Sequence, residues 1–187
     1  MPERRHRLSL RLFTVRKRRF WRCLPKQYLS TVLEAGPSFT RDRRYSVRGE
    51  FGALYFSASK ELSLKEIARR AGEDAEPMSS VELEVTVDRL VDLTRPETRT
   101  KLRVGLGDLI RPRVSKDAYA VPQAIARRVY RDRLHGLIAP SVHDPNGERG
   151  DWFNLVLYPA NLVRASIREL RAEDVATQII DRSRGFG

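Results

Sequence analysis

Apolar and polar residues alternate most cleanly over residues 81–88, where Val81, Leu83, Val85 and Val87 interleave with Glu82, Glu84, Thr86 and Asp88. Successive strand side chains point to opposite faces, so this stretch predicts a half-buried strand. A shorter run, Ala53-Leu54-Tyr55-Phe56, follows Gly49 and Gly52 and ends in serines. Read as a strand over 52–56, it puts Leu54 and Phe56 on the core face and leaves Tyr55, with Ala53, on a face free to line a cleft. Helix formers come next. Ser59 is one N-cap for them, and Ser63 with Glu66 has capping-box spacing one turn later. Both caps stay open.

The longest helical pattern covers residues 117–135, with Pro122 in its first turn and Gly136 as its stop. Ile125, Val129 and Tyr130 would face a sheet, and Arg127, Arg128, Arg131 and Arg133 would face solvent. Thr94 ahead of Pro96 predicts a further helix start, ended by Gly105 and Gly107. Residues 25–43 read as a loop with a short helical piece, and 72–77 as an acidic loop. Strands follow at 137–142 and 152–159, around a turn at 144–147. Strands mixed with amphipathic helices predict an α+β fold.

A length of 187 residues with 41% hydrophobic content suits one domain with one sizeable core. The net charge of +12 is uneven: residues 1–22 hold nine Arg/Lys against Glu3. Residues 1–19 are therefore assigned to a basic arm, 20–170 to the folded domain and 171–187 to a charged C-terminal tail that frays. Charge alone would let such an arm touch nucleic acid or an acidic protein, with strong salt dependence, although a solvated tail is the commoner fate. No nucleic-acid motif accompanies it. Cys23 is the single cysteine, and no Cys/His pair has zinc spacing, so neither disulfide nor metal is expected. No apolar run reaches membrane-span length and no secretory signal opens the chain, which makes a cytoplasmic protein the default expectation.

Candidate chemistry is sparse. Ser141 lies two residues from His143, but no Gly-x-Ser-x-Gly elbow exists and the pair makes no triad. No Gly-x-Gly-x-x-Gly follows a strand, which argues against Rossmann-type dinucleotide binding. Arg43 and Arg44 before a turn suit a phosphate-bearing ligand, since a guanidinium offers paired donors. By periodicity, Glu66 reads equally as a capping or solvated glutamate.

A set of spaced residues adds to this. Arg22 follows Trp21; Arg44-Tyr45-Ser46 precedes Gly49; Ala53-Leu54-Tyr55 is followed eleven residues later by Glu66; Gln123 lies in the long helix; Gly136, Pro140, Ser141 and Asn154 come in order after it. In this arrangement residues 20–160 resemble the RES domain, the toxin half of a class of bacterial toxin–antitoxin pairs. The resemblance implies an ADP-ribosyltransferase-like single domain, with a central split β-sheet and flanking helices. It also implies an NAD glycohydrolase or phosphorylase that breaks the nicotinamide–ribose bond, with NAD as substrate and no metal. Glu66 and Arg22 would be catalytic, Arg44, Tyr45, Tyr55, Ser141 and Gln123 would bind the dinucleotide, and a cognate antitoxin would be the protein partner. A homo-oligomer stays open. Two positions depart from the pattern: Cys23 stands where relatives often carry tyrosine, and Ala120 where they carry serine ahead of the glutamine. The alternatives are a catalytically weakened RES-like binding module and a nucleic-acid-associated protein acting through its basic arm.

Overall fold

The computed structural model describes residues 10–68, 77–112, 116–144, 146, 148–163 and 165–175. In chain order the elements are β1 (Phe13–Pro25), α1 (Gly36–Phe39), β2 (Leu54–Ser57), α2 (Lys60–Ala68), β3 (Met78–Asp92), α3 (Pro96–Leu102), α4 (Leu106–Ile110), α5 (Ala120–Arg131), β4 (Gly136–Pro140), β5 (Phe153–Leu157) and β6 (Ser166–Val175). Short 3-10 turns lie at Lys26–Thr31, Lys116–Tyr119 and Pro159–Asn161.

The six strands form two antiparallel groups of three. β3 lies between β1 and β6, and β5 lies between β2 and β4. Two seams join them: β3 runs parallel to β4 over Leu90–Asp92, and Trp21 of β1 pairs with Ser57 of β2. The path β1–β2–β5–β4–β3 thus returns to β1, leaving β6 outside on the edge of β3. This is the split sheet with flanking helices expected from the resemblance.

Each group needs its apolar face covered, and the fold provides two cores. The first gathers Val15, Phe20 and Leu24 of β1, Val81, Leu83, Val85, Val87 and Leu90 of β3, Leu54 and Phe56 of β2, Ile138 of β4, and Leu155 and Leu157 of β5, which fills the ring. The second lies on the other face of β2–β5–β4, where Leu137, Ala139 and Val156 meet Leu109 of α4, Ile125, Ala126 and Val129 of α5, and Tyr45, Val47, Phe51 and Ala53 of the segment before β2. Burying one such large side chain contributes about 1.5–3 kcal/mol.

β3 serves both cores through one irregularity. Its odd residues up to Val87 enter the first core, Arg89 adopts a left-handed φ of 54°, and beyond it Leu90 enters the first core while Val91 and Leu93 enter the second. A one-residue slip exchanges the two faces of a strand, and here it hands β3 over to β4.

Several element limits differ from expectation for physical reasons. Residues 13–19 of the presumed arm lie in β1, and 171–175 of the presumed tail lie in β6. Basic residues of β1 and β6 hide the strand pattern: Arg19 and Arg168 reach across the ladders to Glu82 and Glu84 of β3, at 3.0 and 3.3 Å, and Arg18 lies 4.7 Å over the Phe153 ring. The N-cap of α3 is Arg95, since Thr94 is taken up by Asp92, whose Oδ1 accepts its N–H at 3.0 Å. Left-handed Arg103 ends α3, while Gly105 caps α4 and Gly107 lies inside it. The helix expected over 117–135 is a 3-10 turn followed by α5, which stops at Arg131. Gly136 is the first residue of β4 rather than a helix stop. Most of the acidic loop at 72–77 lies outside the described residues.

Gly136 is required by contact. A Cβ there would lie 2.1 Å from the Val156 carbonyl oxygen, inside the β4–β5 ladder, whereas one at Gly107 would meet nothing within 4 Å. Gly136→Ala is expected to lower stability by about 3 kcal/mol, because backbone must move, while Gly107→Ala is expected to be neutral or stabilising by up to about 1 kcal/mol. Urea unfolding of the two variants against the native chain checks both.

Candidate active site

β2 divides its four residues between the cores. Leu54 and Phe56 are 2% and 1% exposed in the first, as expected, and Tyr55 and Ser57 lie on the opposite face. Their ladder partners on β5 are Val156 and Asn154, and Asn154 in turn faces Ala139 of β4. One sheet face is therefore apolar where it meets α5 and polar where β2 ends.

At that polar end stands Glu66, in the last turn of α2. Asn154 Nδ2 donates to its Oε1 at 3.2 Å, and Ser141 Oγ donates to the same oxygen at 3.4 Å. Ser57 Oγ donates to Asn154 Oδ1 at 3.1 Å, and the His143 N–H donates to Ser141 Oγ at 3.1 Å. Ser59 is the cap of α2, accepting the Leu62 N–H at 3.2 Å, which settles the two capping alternatives and leaves Glu66 to the cluster. Trp152 is 5% exposed, with Arg149 4.1 Å and Lys65 of α2 4.8 Å from its ring centre. Arg149 also reaches Glu61, at 3.7 Å.

A second group lies along the same face. Tyr55 OH accepts the Tyr45 N–H at 3.1 Å and donates to Ser46 Oγ at 3.3 Å. Gln123 of α5 donates to the carbonyls of Arg43 and Ser46, at 3.0 and 3.3 Å. Arg44 donates to the carbonyls of Leu109 and Arg111 at the end of α4, at 2.6 and 2.9 Å, and lies 4.9 Å over the Tyr119 ring. Tyr45 itself is enclosed in the second core, and burial pushes its hydroxyl well above the usual tyrosine range. Ser38 ties this segment to β2, accepting the Ala53 N–H at 2.6 Å.

Arg22 shares the face of Phe20 and Leu24, so it enters the rim of the first core and donates to the Val32 carbonyl. Burial pulls its guanidinium down to about 10, still protonated at neutral pH. No ion pair joins Arg22 to Glu66. Of the expected site residues, the fold brings Glu66 to Ser141, and Tyr45, Tyr55 and Gln123 to one another through Ser46. Arg22 and Arg44 each stand on backbone carbonyls.

Ser57, Asn154, Ser46 and Trp152 were not among the expected site residues. The signal for Ser57 lay in strand period, which puts it on the Tyr55 face, but its pairing with Asn154 spans 97 positions and has no local trace. The two departures are also placed. Ala120 is exposed at the start of α5, and Cys23 packs with Met78, Ile67 and Val175.

A mixed α/β domain with a carboxylate-centred polar cluster at the mouth of a split sheet is the class that fold and site define. The family model described as RES domain matches residues 19–178, and the chain belongs to that family. Comparison with curated proteins gives no match. Among solved structures the fold matches a chain of the M. tuberculosis MbcT–MbcA toxin–antitoxin complex, with a TM-score of 0.70 and 16% identity, over 89% of this chain and 88% of that one.

Burial in its apolar surroundings pushes the Cys23 thiol up to about 11. The thiol ionises near 9.0 when unfolded, so above that pH the unfolded state loses its proton first and stability falls until the folded thiol also ionises, near 11. Between pH 9 and 11 the native chain is expected to lose about 1–2 kcal/mol more than Cys23→Ala, a difference that paired urea titrations measure.

Proposed function

We propose that this protein is the toxin of a toxin–antitoxin pair and that it degrades NAD by cleaving the bond between nicotinamide and ribose. The observation that carries the reading is the Glu66 carboxylate, held on one oxygen by two neutral donors at the polar end of the β2–β5–β4 face. Family membership supports it.

In that reaction the electrons of the C1′–N bond leave with nicotinamide, whose ring nitrogen loses its positive charge while positive charge grows at C1′. A fixed carboxylate beside C1′ is worth more in the transition state than in the ground state, which is the condition for catalysis. Water or phosphate then forms the new C1′–O bond, and the proton of water goes to solvent. Tyr55 supplies a face for nicotinamide, and the Tyr45 N–H with Ser46 fixes its hydroxyl. Arg22 and Arg44 keep N–H donors beyond those given to carbonyls, and these serve the pyrophosphate. Ser141 and Gln123 complete the site, Ser141 by contact with Glu66 and Gln123 by holding the 43–46 turn. The antitoxin covers this face in the cytoplasm of the producing cell.

Purified native chain is expected to consume NAD, releasing nicotinamide. Glu66→Gln and Arg22→Ala are expected to lower kcat at least about 100-fold, a loss of about 3 kcal/mol of transition-state stabilisation. Chromatography of the products with and without phosphate separates ADP-ribose from its phosphorylated form, and so hydrolysis from phosphorolysis. A folded native chain that leaves NAD intact would replace this reading with that of a binding module weakened at Cys23 and Ala120.

A further inference from the structure

The geometry points to Asn154, held in turn by Ser57, as the residue that positions the Glu66 carboxylate for bond cleavage. The inference rests on the NAD reaction proposed above. A carboxylate oxygen only accepts, so the Asn154 amide must turn its Nδ2 toward Glu66, at 3.2 Å. Its Oδ1 is then left to Ser57, whose hydroxyl must donate, at 3.1 Å. On the other side Ser141 Oγ accepts the His143 N–H, so its single proton goes to Glu66. Each hydrogen bond in the chain from Ser57 to His143 thus has one direction.

Asn154 is the stiffer of the two supports. It sits inside the ladder, opposite Ser57 on one side and Ala139 on the other, whereas Ser141 follows the end of β4 and contacts Glu66 at 3.4 Å, near the limit of a hydrogen bond. Both donors fall on Oε1, and Oε2 accepts nothing from the described residues. An amide suits this role because it orients the carboxylate without cancelling its charge. A lysine or arginine there would offset the field that the growing positive charge at C1′ requires.

The test uses the full chain and three variants, each first checked for a cooperative unfolding transition. For Asn154→Ala, kcat for NAD consumption is expected to fall about 10–100-fold while KM stays within about threefold, the signature of a misplaced catalytic group. Asn154→Asp keeps the shape and the Ser57 contact but loses the donor, so it is expected to fall at least as far. A residue that merely packs would tolerate Asp better than Ala, and an unchanged kcat in Asn154→Asp overturns the inference. Ser57→Ala is expected to shift kcat in the same direction by a smaller factor, and it carries the test should the Asn154 variants not fold. Crystal structures of native chain and variants give a readout independent of turnover. If the native chain leaves NAD intact, the functional reading fails, and these structures decide alone: Glu66 turned away from position 154 in Asn154→Asp supports positioning, and an unmoved Glu66 overturns it.

Discussion

The period of two along β2 is the constraint on which the rest of the molecule depends. Four residues, Leu54–Ser57, separate two cores: Leu54 and Phe56 fill the ring, and Tyr55 and Ser57 face the helices and α2. Because β2 pairs with β5 along its length and touches β1 at a single bridge, it also closes the ring. A slip by one residue would send Tyr55 and Ser57 into the apolar interior and strand Leu54 and Phe56 at the polar end. Register is therefore specified by burial, and the site inherits that specification.

Around this strand the chain handles its excess of positive charge in two ways. On β1 and β6 arginines pair with Glu82 and Glu84 of β3, exposed contacts worth about 0–1 kcal/mol each but enough to mark the pairing of opposite strands. Other arginines bind backbone: Arg22, at the rim of the first core, the Val32 carbonyl, and Arg44 the carbonyls that end α4. Helix ends leave carbonyls without partners, so a guanidinium there both satisfies them and is itself oriented.

The carboxylate follows the opposite rule. Glu66 receives a side-chain amide and a hydroxyl, with no cation among its hydrogen-bond partners in the described residues. Neutral donors orient a negative charge and leave it available to a reacting centre, while a salt bridge would spend it in the resting protein.

Much of this was legible in the chain. Alternation at 81–88, the faces of β2 and the apolar stripe of α5 are local patterns, and local patterns follow from helix and strand periods, whereas the spacing from Tyr55 to Glu66 carried meaning only through the resemblance. Ring closure was not legible, because it depends on a parallel seam at Leu90–Asp92 and a single bridge at Trp21. Nor was the switch at Arg89, where a left-handed backbone changes which face of β3 is buried, or the need for glycine at position 136, which comes from the Val156 carbonyl across the ladder. The sequence by itself determined the central elements, the alternating strand β3, the faces of β2 and the stripe of α5. Tertiary structure alone decided that Ser57, Asn154, Ser141 and Glu66 meet, since partners up to 97 positions apart are brought together by strand register, which no local period encodes.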